Sequence, residues 1–203
     1  MGRKSAQNTT TKAQIYWDLI TKAIGASLLI GIGDYVLLLL GNPIGPFLFA
    51  IGLLGVCVMK LNLFTGKCGF WLEDKIPFLH LFIILIVNLA AGWGIGYLFS
   101  FANAEIVTAA VTKVASWDVS WSFFIRSVMC GAIMYIAVLL YRKGTNFGIL
   151  LGIPTFIFCG FQHCIANAIT LGVAHGWSWT LPICVLGNLV GSLSMWDLSR
   201  NRV

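Results

Sequence analysis

The sequence predicts an all-α membrane protein: six transmembrane helices in two inverted three-helix repeats, with the second and fifth helices interrupted. Three observations carry this. The 203 residues are 59% apolar and only 10% charged, with mean hydropathy +0.90, whereas about a quarter of a soluble domain is charged. A shift of 100 residues lays the chain on itself: Trp17-Asp18 meets Trp117-Asp118, Gly31 meets Gly131, Tyr35 meets Tyr135, Leu40 meets Leu140, Gly52 meets Gly152, Leu81 meets Leu181, Ile83 meets Ile183 and Asn88-Leu89 meets Asn188-Leu189. Basic residues, finally, alternate from one inter-span loop to the next.

A helix needs about 20 apolar residues to cross ~30 Å of hydrocarbon. Spans are expected at about 16–40, 44–60, 77–101, 121–141, 147–173 (with a break) and 178–197. Arg3, Lys4, Lys12 and Lys22 stand at the start of the first span, Lys67 and Lys75 after the second, Arg142 and Lys143 after the fourth, and Arg200 and Arg202 after the sixth. The opposite loops are poor in base: 41–46 has none, 102–120 sets Lys113 against Glu105 and Asp118, and 174–178 has only His175. This is the positive-inside pattern, and it puts both termini in the cytoplasm. With an even number of spans, the halves enter the membrane from opposite sides, as inverted repeats at about 15–101 and 115–200. The net charge of +6 is thus accounted for by topology rather than by a nucleic-acid partner. Residues 1–14 are expected to form a cytoplasmic tail, since Met1 to Lys12 is polar and Thr-rich and has no signal-peptide core. Residues 15–203 then form a single transmembrane channel domain. The six cysteines lie in or beside apolar spans without paired spacing, which argues against a disulfide framework. Cys68 alone falls near a cytoplasmic loop, and the others read as small core residues.

The two interruptions fall at matching positions. Gly55 and Gly66 flank Lys60-Leu61-Asn62-Leu63-Phe64-Thr65, and the fifth span breaks at Cys159-Gly160-Phe161-Gln162-His163-Cys164. Paired breaks in the two halves of a membrane protein point to a site at mid-membrane, because irregular backbone at that depth must be buried in protein or line a cavity. His163 is the histidine deep in a span, and an ionisable group there is a functional candidate by default. A metal site from His163, Cys159 and Cys164 lacks a fourth ligand, and no metal or other cofactor is expected. Asp34 and Lys60 are the other intramembrane charges, and a mutual ion pair is expected. Asn88 and Asn188 each open a stretch of small residues that suits close helix packing, and Asn188 could also face a pore.

At these breaks the chain resembles the formate/nitrite transporter family. Leu63-Phe64-Thr65-Gly66 resembles the loop that interrupts the family's second helix, Gly160-Phe161-Gln162-His163-Cys164-Ile165-Ala166-Asn167 resembles its GFEHxxAN signature, and Gly187-Asn188-Leu189-Val190-Gly191 its GNxxG stretch. The likeness runs from about Trp17 to Met195. It implies an aquaporin-like fold, a homopentamer in the cytoplasmic membrane, and one pore per protomer for a small monovalent anion such as formate, nitrite or hydrosulfide. It also implies a pore centre at His163 and Thr65 with Asn188 nearby, one constriction from Phe49, Leu53, Leu63 and Phe64, and another from Phe156.

Several positions depart from the family pattern. Gln162 stands where the signature has an acid, Asn62 replaces the acid of the second-helix loop, and Tyr135 replaces an Asn of the fourth helix. The vestibule lysine has no aligned counterpart: Val119 takes its place, with Lys113 six residues earlier. Loss of that cation would weaken anion attraction, so a channel for a small neutral solute (water, ammonia or urea) and a non-transporting membrane subunit, its path filled by Tyr135, stay open beside the anion channel. Paired carboxylates, a nucleophile with its base and a phosphate loop are all missing from the sequence, so no enzyme activity is expected.

Overall fold

The computed structural model describes residues 11–200. Arg3, Lys4 and Arg202, with the tail up to residue 10, lie outside the described residues. Among the described residues nine α-helices run in order: α1 (Lys12–Leu40), α2 (Ile44–Val58), α3 (Phe64–Lys67), α4 (Phe78–Ser100), α5 (Ala104–Ala115), α6 (Trp121–Arg142), α7 (Phe147–Phe158), α8 (Cys164–Val173) and α9 (Thr180–Ser199). Four of them, α1, α4, α6 and α9, are long and apolar enough to cross a membrane. The shorter α2 and α3, and likewise α7 and α8, are separated by five non-helical residues at 59–63 and 159–163, where the breaks were expected.

Local chemistry explains the ends. Thr11 accepts from the Gln14 amide while the Gln14 side chain returns to the Thr11 amide, a reciprocal cap that starts α1. Ser120 caps α6 from one side only, accepting the Phe123 amide. The segment 102–120, expected to be a loop, holds α5 instead. Asn103 caps it through the Glu105 amide, and Ile106 and Ala110, one turn apart, are its buried residues. Only one face of α5 is apolar, so it carries no span-like run, and the hydropathy pattern passed over it.

Helices approach where side chains are absent. A Cβ on Gly96 of α4 would fall 2.1 Å from the Ile169 carbonyl oxygen of α8, and one on Gly191 of α9 would fall 1.9 Å from the Val128 oxygen of α6. Backbone touches backbone there, as small residues permit in membranes. The cysteines are mostly core, Cys68, Cys130, Cys164 and Cys184 being buried, but Cys159 is exposed. It sits in the second break rather than in a packed helix, and Cys68 lies inside the protein rather than on a loop.

The connection from α3 to α4 is pinned by charge. Arg142 at the end of α6 meets both carboxylate oxygens of Asp74, with Nη1–Oδ1 at 2.9 Å, and its guanidinium lies 3.7 Å from the centre of the Phe70 ring. Hydrogen bonding from Arg142 holds the Asp74 carboxyl below its ordinary range. A depressed carboxyl adds stability above its unfolded value of about 3.9, and that stability is lost as pH falls through the lower folded value.

Two outcomes follow for stability. Gly191→Ala is expected to lower the melting temperature in detergent markedly, by the 1–3 kcal/mol or so that overpacking costs; an unchanged melting curve would contradict the close approach. Asp74→Asn is expected to cost about 1 kcal/mol or less, since both partners are about a third exposed. That deficit should be present at pH 7 and close below the ordinary carboxylate range.

Candidate functional site

Each break leaves backbone groups that no helix satisfies, and the two breaks solve this in the same way. The Phe64 amide, first in α3, donates to Asn88 Oδ1 at 2.8 Å, and the Cys164 amide, first in α8, donates to Asn188 Oδ1 at 2.9 Å. Asn88 Nδ2 donates to the oxygens of Asn62 (3.0 Å) and Ala23 (2.8 Å). Asn188 Nδ2 donates to those of Gln162 and Ser127, both at 2.8 Å. The Leu61 amide returns to the Val56 oxygen as the Phe161 amide does to that of Phe156, each at 2.9 Å. Asn62 and Gln162 reach the first helix of their own halves, through the oxygens of Lys22 and Arg126.

These pairs correct the register. From Val56 to Asn88 the offset is 100, but Lys22 answers to Arg126 and Ala23 to Ser127, an offset of 104. Ser27 Oγ bonds the Asn88 oxygen at 3.1 Å, and its structural counterpart is Gly131, which abuts the Asn188 oxygen. The ungapped match of Gly31 to Gly131 therefore pairs residues that do different things. Four extra residues lie in the first half between the first helix and the break.

With the backbone fixed, one side-chain hydrogen bond joins the two breaks. Thr65 Oγ1 and His163 Nε2 lie 2.8 Å apart, both buried. The other ring nitrogen, Nδ1, accepts the Ala166 amide at 3.1 Å and caps α8. A nitrogen that accepts carries no proton, so the imidazole proton sits on Nε2 and points to Thr65. In this arrangement His163 is neutral.

A cavity lies on each side of this contact. One, of about 240 Å³, is lined by His163, Phe156, Phe49, Gln162, Asn167, Asp34, Lys113 and Arg126 among others. The other, of about 180 Å³, is lined by Leu53, Val56, Leu63, Lys60, Lys67, Tyr141 and Arg142 among others. Their walls correspond by the same offsets: Val56 to Phe156, Leu63 to His163, Lys67 to Asn167, and Val138 to Asp34. Between them the apolar side chains divide in two. Phe49 and Phe156 stand edge-to-face, centroids 6.1 Å apart, with Phe156 stacked 6.0 Å from the His163 ring. Leu53 and Leu63 belong to the second cavity. Phe64, buried at 3% exposure, packs into the core and lines neither. Asn188 lines neither as well; its amide is spent on the break.

The expected Asp34–Lys60 pair does not form. Asp34 bonds Thr170 Oγ1 at 2.8 Å and Lys113 Nζ at 3.4 Å, and Lys113 also reaches Thr170 at 3.1 Å. Lys60 is exposed, on the other cavity. A cation therefore does reach the His163 cavity: α5 delivers Lys113 there, although alignment offered Val119. Gln162 turns its amide inward, to the Gly160 oxygen (3.0 Å) and from Asn167 (2.9 Å). Tyr135 stacks on Phe70 at 4.6 Å and bonds Ser199 at 2.7 Å. It lines neither cavity.

The model of the formate/nitrite transporter family matches residues 3–199. The chain belongs to the formate/nitrite transporter family. Two solved structures of similar fold agree with this. One is an FNT family ion channel, 19% identical over 92% of this chain and 90% of its own, with TM-score 0.76. The other is a pentameric formate channel with formate bound, 17% identical over 93% and 98%, with TM-score 0.75. No curated protein matches the sequence. Of the family positions, His163, Thr65, Phe49, Phe156, Leu53 and Leu63 converge around one contact in this member, while Phe64, Asn188 and Tyr135 stand behind it.

Asn188→Ala strands the Cys164 amide and the oxygens of Gln162 and Ser127, each worth about 1–3 kcal/mol when buried and unpaired. A large loss of thermal stability is expected, and Asn88→Ala should match it. For the charged pair, Lys113→Met should destabilise more than Lys113→Met with Asp34→Asn, because removing one partner alone leaves a buried carboxylate uncompensated; equal melting temperatures would refute the pairing.

Proposed function

We propose that the protein is a membrane channel for a small monovalent anion or its conjugate weak acid, of the formate, nitrite or hydrosulfide type. The observation that carries this is the Thr65–His163 contact, held between two half-helix starts with a cavity on each side. The path runs from the His163 cavity between Phe49 and Phe156, past Thr65 and His163, and between Leu53 and Leu63 into the Lys67 cavity. Membership of the family supports it, and so does the formate bound in a channel of the same fold.

Topology follows the same reading. α2 with α3, and α7 with α8, each make one broken crossing, which gives six crossings in two inverted repeats. The matched hydrogen bonds of the breaks support this. Residues 15–203 form the one transmembrane domain, and both termini, with the Lys67 cavity, face the cytoplasm, as the basic loops indicate. Five copies assemble in the cytoplasmic membrane with one path each, and no step is enzymatic.

The chemistry fits selection for weak acids. A bare ion loses its water between Phe49, Phe156, Leu53 and Leu63, at a cost of several kcal/mol in a medium of low dielectric. The centre offers no full charge in return. His163 Nε2–H donates to Thr65 Oγ1, which turns the threonine hydrogen toward the path, and the start of α8 presents the positive end of its dipole. Cations are repelled, and an anion that can share or take up a proton is favoured over one that cannot. A second reading is a path for a small neutral solute, and the neutral His163–Thr65 pair, with amides at 62 and 162 in place of acids, favours it.

Proteoliposome flux decides between them. Formate or nitrite uptake is expected, rising toward acid pH as the conjugate acid becomes available. Thr65→Val and His163→Ala should each cut it by about tenfold or more, on the scale of one lost central hydrogen bond to a charged species, whereas Tyr135→Phe should leave it unchanged. Swelling driven by a neutral solute, with no anion uptake, would replace the first reading by the second.

A further inference from the structure

The two cavities occupy equivalent places in the fold but differ in charge. Around His163 the ionisable lining is mixed: Lys113 pairs with Asp34, a buried carboxylate, and Arg126 lines the same cavity. The lining of the Leu63 cavity has Lys60, Lys67 and Arg142 and no acid. Arg142 is balanced by Asp74, whereas among the described residues no ion pair involves Lys60 or Lys67. The matching positions show how the charge was placed. Lys67 answers to Asn167 and Val138 to Asp34, so the Lys67 cavity gains a cation where the His163 cavity has an amide, and lacks the acid that the His163 cavity contains. Lys60 answers to Gly160. Both adopt a left-handed backbone, φ 53° and φ 67°, which glycine accepts freely and an L-residue resists by about 1–2 kcal/mol. A lysine occupies that position, and its ammonium belongs to the cavity wall.

We propose that the Lys67 cavity is an anion-loading site, in which Lys60 and Lys67 hold a small monovalent carboxylate or comparable anion at the mouth of the path. The site makes entry from that face the faster one. The proposal rests on the channel reading for its consequence, although not for the binding itself. Net positive charge in a concave, low-dielectric mouth focuses the field and raises local anion concentration and entry rate by about tenfold or more. That gain falls with added salt, since exposed charges are screened beyond about 8–10 Å at physiological ionic strength. The His163 cavity, in which Asp34 offsets Lys113, gathers anions less strongly.

Cys57 lines the same cavity and is partly buried, so it reports on binding without any flux. In a Cys159→Ser background, an anionic methanethiosulfonate should modify Cys57 faster than a cationic one of similar size, and formate should slow that reaction. Lys60→Gln with Lys67→Gln should abolish both effects, and Lys60→Arg with Lys67→Arg should keep them; Cys57→Ser confirms the target. In oriented proteoliposomes the glutamine pair should raise the half-saturating formate concentration about tenfold from the Lys67 face, flatten its salt dependence, and change entry from the other face less than twofold. Absence of formate protection at Cys57, or equal losses from both faces, overturns the proposal. Protection at Cys57 in a protein that passes no anion would instead overturn the channel reading and leave the binding site standing.

Discussion

Everything near the centre of this molecule depends on two buried carboxamides. A helix broken within the hydrophobic layer exposes amides and carbonyls that water cannot reach, and each left unpaired costs about 1–3 kcal/mol. Asn88 and Asn188 are each buried, and each bonds one amide and one carbonyl at a break and one carbonyl of the first helix of its half. An aspartate could not do this, since it has no donors, and a glutamine would need a different backbone distance. With these bonds made, α3 and α8 start from fixed points, and no buried side-chain nitrogen or oxygen among the described residues lacks a partner. The positions of Thr65 and His163 follow from that, since each sits within two residues of an amide that an asparagine holds.

The frame repeats, but the side chains hung on it do not. Where the second half has His163, the first has Leu63; where the first has Thr65, the second has Ile165. Each half therefore supplies one polar group from a different position, and the two meet as a single contact instead of two. The positions equivalent to these two, Leu63 and Ile165, are apolar. A path built this way has one polar level between apolar walls, which is the arrangement that penalises a hydrated ion and spares a species able to shed its charge. Had both halves carried the histidine, two ionisable rings would stand close together, and one would tend to repel the charged form of the other.

The sequence made the breaks legible because they join glycines to two things rare in an apolar chain: amides and a lone intramembrane histidine. It made His163 and Thr65 legible for the same reason, with the family motif pointing to the same residues. What it hid were relations between distant positions. Asp34 lies 26 residues from Lys60 and 79 from Lys113, and nothing local says which is near. Helix α5 escaped because a helix lying over a mouth is apolar on one face only. The four-residue change of offset escaped because glycine and leucine are common enough here to match at the wrong register. Phe49 joined Phe156 rather than Leu53 for a geometric reason: one helical turn along α2 is 5.4 Å or so of depth, enough to put its two residues in different cavities.

The acids missing from the two breaks bear on how an anion is attracted without being trapped. At 162 the family signature has a carboxylate; this chain has an amide that bonds its own loop and Asn167. The negative charge has not left the cavity, since Asp34 of α1 supplies one and takes Lys113 as its partner. It has moved away from His163, whose ring touches only Thr65 and the Ala166 amide through hydrogen bonds. A carboxylate next to the imidazole would favour the imidazolium, and a fixed charge at the narrowest level would hold an anion there. On the proposed channel reading, with the charge moved outward, attraction acts in the wide mouths, where water still screens it, and the centre keeps a neutral donor. An ion drawn by the mouths meets no deep well between them, and conduction needs sites that are favourable enough to enter and weak enough to leave.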